Sequence, residues 1–386
     1  MAERFDVAVV GLGALGSATC WQLARQGVRV LGLERFALGH VRGASHDTTR
    51  ILRRSYHTPG YVRLAGEAYD DWADLEADAG TTLVTVTGGI DLYPPSAAIP
   101  AADYRAAMAA AGVAFTEMDD GEIAGRWPRF TLPAGTTGLY QADAAIVPAA
   151  RSTAVLQQRA QWHGAVLRDR CPVHAVHETG GGVDVVTAAG TVRCDTVVLC
   201  TDAWTNDLLA PLAAALPLTV TREQVTYLAV ARPDDFAPGR LPIWIWMDDP
   251  SFYGFPTYGE AAVKVAQDCG GAPADPDRRS FAPDAGNLDR VTAFAHRTLR
   301  GTGRPLRTVT CLYTLTPDRD FALGSPPGHD AVVVGLGAGH GFKFAPTIGR
   351  LLAGIVAGRR DDPRLAAFTL DRPALTDPAY APHWLV

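Results

Sequence analysis

Residues 5–10, Phe-Asp-Val-Ala-Val-Val, form a short and almost wholly apolar run. A run of that length without alternation suits a strand buried on both faces of a parallel sheet. Glycines then stand at 11, 13 and 16, residues 17–26 carry a helical pattern, and Gly27 sits where a helix terminates. Residues 28–33 are a second apolar run, ending at Glu34. The spacing predicts strand, tight turn, helix and strand in that order.

Residues 43–53 interrupt this regularity with the polar, basic stretch Gly-Ala-Ser-His-Asp-Thr-Thr-Arg-Ile-Leu-Arg. An amphipathic helix is expected over 61–79 and an alternating strand over 85–93. Helices follow over 101–112 and 118–125, with a short strand between them, and another develops across 146–162. A meander of strands is expected over 165–176, 183–187, 191–193 and 196–200. The last of these is apolar and runs into a helix through Thr201-Asp202-Ala203-Trp204. Residues 218–310 read as strands around one polar helix near 285–300. A final apolar strand, 331–335, leads through a glycine-rich turn to a helix over 345–357. The pattern is α/β: a sheet domain built from separated pieces of chain, with insertions forming a second lobe.

Composition narrows the function. The chain has 386 residues, 47% of them hydrophobic and 20% charged, with a net charge of −6. That mildly acidic balance argues against nucleic acid as a partner, since phosphate binding needs concentrated positive charge. No apolar run approaches the roughly 18–20 residues that span a bilayer, so no membrane partner is expected. The N-terminus shows no basic segment followed by an apolar one, so no secretory signal is expected. Cysteines at 20, 171, 194, 200, 269 and 311 show neither CxxC nor metal-ligand spacing, and read as reduced thiols of a cytoplasmic protein. Of 35 basic residues only two are lysine, Lys264 and Lys343. Lysine supplies a compact, deprotonatable charge that arginine does not.

The glycines at 11, 13 and 16 give GxGxxG between a strand and a helix. Gly11 allows the tight turn, Gly13 lets backbone approach a pyrophosphate, and Gly16 permits close helix packing. Glu34 falls where an acid accepts a hydrogen bond from a ribose hydroxyl. The unit binds FAD or NAD, and its pattern alone does not choose between them.

Two C-terminal strings go further: Cys311-Leu312-Tyr313-Thr314-Leu315-Thr316-Pro317-Asp318 and Gly339-His340-Gly341-Phe342-Lys343-Phe344. With the glycine fingerprint, Ser45-His46, Arg50, Arg53, Tyr253-Gly254-Phe255-Pro256 and Lys264, the chain resembles the monomeric sarcosine oxidase family along nearly its whole length. That family includes N-methyltryptophan oxidase and pipecolate oxidase.

The resemblance implies a Rossmann-like FAD-binding domain of the glutathione-reductase and D-amino-acid-oxidase type. Its pieces would be 1–84, 146–217 and 311–386, with 85–145 and 218–310 forming a substrate domain on a mixed sheet. It implies that Cys311 attaches FAD through a thioether, a bond that tunes the cofactor's electronics. It implies that Lys264 promotes reaction with dioxygen as a fixed cation beside the flavin. Arg53 and Lys343 would grip a substrate carboxylate, with Lys343 also adding charge near the flavin pyrimidine. Arg50 and His46 would lie at the flavin ring, Tyr253 and Tyr313 along the substrate cavity, and Arg35, Ser45, Val173, Gly339 and Gly341 against the cofactor.

Three departures accompany the resemblance. The family loop reads Ser-His-Gly where this chain has Asp47 after His46, and Gly-Ala-Trp where this chain has Asp202. Sarcosine-oxidising members carry a histidine four residues after the lysine, where this chain has Asp268. A carboxylate there could hold a cationic amine or orient a polar substituent, or could simply turn into the following loop. The expected activity is FAD-dependent oxidation of a secondary or cyclic amino acid to an imine, with dioxygen reduced to hydrogen peroxide, by a monomer. The alternatives are a flavin dehydrogenase with a different acceptor and, on the N-terminal fold alone, an NAD-dependent dehydrogenase.

Overall fold

The first apolar run folds as the strand Val7–Val10, buried along its length, and the second as Val30–Leu33. A computed structural model describes residues 3–384. Met1 and Ala2, part of the N-terminal reading above, lie outside the described residues, as do residues 385–386. The two strands sit inside a six-stranded sheet. Its order is Val166–Arg168, Val30–Leu33, Val7–Val10, Thr196–Leu199, Val332–Leu336 and Ala322–Gly324. The first five are parallel neighbours and the last is antiparallel. The helix Ala14–Ala24 packs on the helices Ala149–Trp162 and Ala345–Val356. Gly349 makes the second contact close: a Cβ there would lie 2.6 Å from the Ala18 backbone.

Two expected strands are broken. The run 165–176 divides into Val166–Arg168, in the six-stranded sheet, and Val173–Thr179, in a separate four-stranded sheet. Arg170, with φ +51°, turns the chain between them. The run 85–93 divides into Thr85–Val86 and Gly89–Tyr93 around Gly88. Gly88 has φ +68°, and a side chain there would strike the Tyr140 ring. Both breaks follow from left-handed backbone, which hydrophobic alternation does not encode.

A nine-stranded sheet forms the second lobe. Its longest strands, Thr219–Val230 and Thr302–Leu315, pair antiparallel from Val230↔Thr302 to Thr219↔Leu315. The ladder shifts register around Leu228 but runs regularly from Tyr227↔Arg307 to Thr219↔Leu315, across the expected domain boundary at 310/311, so Cys311 belongs to this sheet. The polar helix is Ala285–Thr298, packed through Val291, Phe294 and Ala295 into the lobe's core. No helix among the described residues is long and apolar enough to cross a membrane.

Candidate active site

The glycine turn is sterically specified. Gly11 has φ +90°, and a Cβ there would lie 2.4 Å from the Cys200 carbonyl oxygen. A Cβ on Gly16 would lie 1.8 Å from the Gly11 oxygen, so helix and strand meet only if residue 16 is glycine. Gly13 differs: its missing Cβ would meet only the Ser45 side chain, with Oγ at 3.0 Å. Gly13 also caps the helix Ala14–Ala24 without any side-chain hydrogen bond. The first helical amide, Ala14, donates instead to the Ser45 Oγ at 2.9 Å, so Ser45 stands at a helix N-terminus whose dipole favours an anion. Glu34 is buried and accepts from the Leu12 and Phe36 amides, at 2.8 and 2.9 Å.

Two cavities meet around Gly13, Ser45, His46 and Asp202. One runs past Glu34, Arg35 and Val173. The other runs past Arg50, Lys264, Cys311, Tyr313, Gly339, Gly341 and Lys343. His46 lies at the junction with its Nε2 buried and unpartnered among the described residues. Burial and then Arg50 pull its imidazole down to about 4, so the ring is neutral. A long cavity with a helix N-terminus along it, an acid at one end and an orphaned polar atom midway fits a dinucleotide. Glu34 would hold its ribose, and the backbone at Gly13 its pyrophosphate.

The second cavity is built on one sheet face. Tyr227 stands directly opposite Lys264 on one neighbouring strand and Arg307 on the other, and Lys264 stands opposite Phe255. Ala266 stands opposite both Val225 and Tyr253, while Glu223 faces Cys311 and Thr221 faces Tyr313. Opposed residues share a face and every second residue repeats it. Lys264, Tyr253, Cys311 and Tyr313 therefore project together, although 60 sequence positions separate the extremes, residues 253 and 313.

Most charges in this cavity are already matched. Lys264 is 2% exposed and donates to Asp47 Oδ2 at 2.7 Å and to Thr49 at 3.0 and 3.1 Å. Burial lowers its pKa to about 8, with Asp47 opposing that fall and Arg50 adding to it. Arg53 grips both oxygens of the buried Asp91, at 2.8 and 2.9 Å. Burial works against the Arg53 charge, but Asp91 together with Tyr104, Tyr56 and Tyr93 more than offsets it and holds the guanidinium protonated. Asp268 is ion-paired with Arg319 at 2.8 Å, and Arg319 also donates to the Trp384 carbonyl. Arg50 spends its donors on the carbonyls of Ala44, His46 and Thr49.

Lys343 is the exception. It lies in the turn Gly341–Phe344, just before the helix Ala345–Val356. Its single hydrogen bond is to the His340 carbonyl at 3.3 Å, and no carboxylate pairs with it among the described residues. Burial, then Arg53 and Arg319, lower its pKa to about 7.

The structure thus brings the expected residues of both cavities together, with three differences. Arg35 stands at the rim, ion-paired with Asp277. Arg53 is not a free fork, because Asp91 occupies it. Asp268 does not face the cavity as a free carboxylate, because Arg319 neutralises it. Asp91, Arg319 and Asp47 are the site residues that sequence reasoning did not assign. Arg319 directly follows the Cys311–Asp318 string, and Asp47 was visible as a departure. Nothing local marked Asp91. Both aspartates that replace family glycines sit at positive φ, +76° at Asp47 and +47° at Asp202. Aspartate tolerates that region better than most side chains.

The sequence matches the family described as FAD dependent oxidoreductase (DAO) over residues 6–355. It is 31% identical over 380 residues to the peroxisomal sarcosine oxidase of Homo sapiens, covering 96% of each chain. It is 33% identical over 363 residues to the monomeric sarcosine oxidase of Streptomyces avermitilis, covering 92% of this chain and 94% of that one. Among solved structures it superposes on NikD, an unusual amino acid oxidase essential for nikkomycin biosynthesis, in its open form. The TM-score is 0.85 at 29% identity, over 95% of this chain and 97% of that one.

Proposed function

The chain belongs to the FAD dependent oxidoreductase family, within the group of the monomeric sarcosine oxidases, and on that premise we propose that it oxidises a secondary or cyclic amino acid. When bound, FAD supplies a two-electron acceptor that dioxygen can reoxidise, with hydrogen peroxide as the product. Cys311 is proposed to hold it through a thioether, and a cytoplasmic location and a monomeric state complete the reading.

One observation carries the choice of substrate: among the described residues, Lys343 and Arg50 are the cations lining the cavity without a carboxylate partner, and Arg50 donates to three carbonyls whereas Lys343 makes one bond, at 3.3 Å. The Arg53, Arg319 and Lys264 charges are each balanced by an aspartate. Lys343 is therefore the cation left to meet one negative charge on a ligand. An amino acid whose amine is neutral has that charge, and the neutral amine keeps the lone pair needed for C–H oxidation. Lys343 would take the carboxylate, with Arg53 turned towards it from its Asp91 anchor. Tyr253 and Tyr313 would flank the carbon skeleton. Lys264 would supply a fixed positive charge where dioxygen gains electrons, an interaction strong in a water-excluded site.

The test is peroxide production from a panel of N-methyl and cyclic amino acids, each paired with its amide. Turnover of the acids but not the amides is expected. Equal turnover would remove Lys343 from its role, and flavin reduction without peroxide would favour a dehydrogenase. Lys264→Met is expected to slow reoxidation of the reduced flavin by dioxygen while sparing reduction by substrate.

A further inference from the structure

Asp47 occupies a costly backbone position. Its φ is +76°, a region that residues other than glycine seldom adopt. Its side chain is nonetheless buried and fully used. Oδ2 accepts from Lys264 Nζ at 2.7 Å, and the Tyr227 hydroxyl reaches both oxygens at 2.7 and 2.8 Å. Arg307 lies 3.6 Å from Oδ1 and stacks over the Tyr227 ring, 3.6 Å from its centroid. Arg307 is also ion-paired with Glu260 at 2.5 Å, where both side chains reach solvent. Arg307, Tyr227 and Lys264 are directly opposed on three adjacent strands. Asp47 closes over that row from the loop.

We propose that Asp47 is the positioning residue of Lys264: it anchors the ammonium to the 43–49 loop and keeps it charged, so the oxygen-facing cation of this site is half of a buried ion pair. The inference rests on the role given to Lys264 above. Asp47, His46 and Arg50 face the ammonium from the loop and the strand after it, Tyr227 from the adjoining strand, and Cys311 from the strand beyond. Of these, Asp47 alone is a carboxylate. Arg50 opposes the charge, and the neutral His46 adds nothing to hold it. Without Asp47, Lys264 would lose its proton at lower pH, and the cation would be absent over more of the working range.

The chain's two lysines make this directly measurable. Holoenzyme labelled with 13C at lysine Cε gives two resonances, assigned by Lys343→Met. Asp47→Asn is expected to lower the Lys264 titration midpoint by about one pH unit or more, as loss of a contacting opposite charge does. The Lys343 midpoint should stay in place. Asp47→Gly, which places glycine at the left-handed position, is expected to keep the fold and show the same shift. The pH above which oxidation of the reduced flavin by dioxygen slows should fall by the same amount in both variants. An unmoved Lys264 midpoint, or equal movement of both lysines, overturns the proposal. If Lys264→Met leaves dioxygen reactivity unchanged, the reading of Lys264 itself fails, whatever the titration of Asp47→Asn shows, and the oxygen consequence falls with it.

Discussion

Lys343 offers a quantitative test through pH. In the free chain, burial with Arg53 and Arg319 nearby lowers its pKa to about 7. A carboxylate bound against it supplies the missing opposite charge, so the complex keeps the ammonium to higher pH. The sign follows from linkage: the ligand prefers the protonated form, so affinity is flat below about pH 7 and falls above it. The fall is about tenfold per pH unit until the complex's own pKa is reached. Between about pH 6 and pH 9 this amounts to about 100-fold in Kd, or about 2.7 kcal/mol at 1.36 kcal/mol per unit. The assay is titration of an amine-free carboxylic acid of substrate size, followed by the flavin absorption spectrum. Such a ligand keeps one charge across the range, which removes the titration of the substrate amine. Competing groups are separable. Arg53 and Arg319 stay charged and burial keeps His340 neutral, while Lys264, lowered to about 8, titrates inside the range and is distinguished by its own variant. Lys343→Met should bind more weakly with no pH dependence, whereas Lys264→Met should keep the slope. A flat wild-type profile, or the same slope in Lys343→Met, would refute the reasoning.

Other outcomes follow from the same geometry. Cys311→Ser should release its flavin into the supernatant on acid precipitation, where the unmodified chain keeps the colour in the pellet. Gly13→Val would fill the space beside Ser45 over which the proposed pyrophosphate lies, and the purified chain should be colourless. Asp268→Ala leaves the 5% exposed Arg319 without its carboxylate. Removing one partner of a buried pair costs about 3–5 kcal/mol, and the partial exposure of Asp268 places the loss near the lower end. A lower Tm with unchanged flavin content is the expected result, and an unchanged Tm would show that the pair is not structural.

The sequence carried the nucleotide-binding unit well because its constraints are local. Gly11 and Gly16 are dictated by contacts within one turn, and the flanking strands are short apolar runs. The long helix was equally legible: Thr58 caps Pro59–Ala79 by accepting from the Tyr61 amide, and Gly80 ends it at φ +62°. The domain boundary was less legible. Apolar content does not change where Thr302–Leu315 passes from the lobe towards the cofactor, so pairing alone decides which sheet owns Cys311.

By itself the sequence determined the fold class and the dinucleotide turn, and it named the lysines, arginines and cysteine that are proposed to make the site. These depend on residue type, short spacing and motif strings. Only the tertiary structure decided which of those charges are free. Asp47, Asp91 and Arg319 lie 217, 38 and 51 positions from the partners they neutralise, Lys264, Arg53 and Asp268. A charge is matched by whatever lies a few ångströms away in space, and no local pattern records that distance. Folding thus balances every lysine and arginine expected to meet substrate or oxygen except Lys343, and that exception is the ground for the proposed carboxylate ligand.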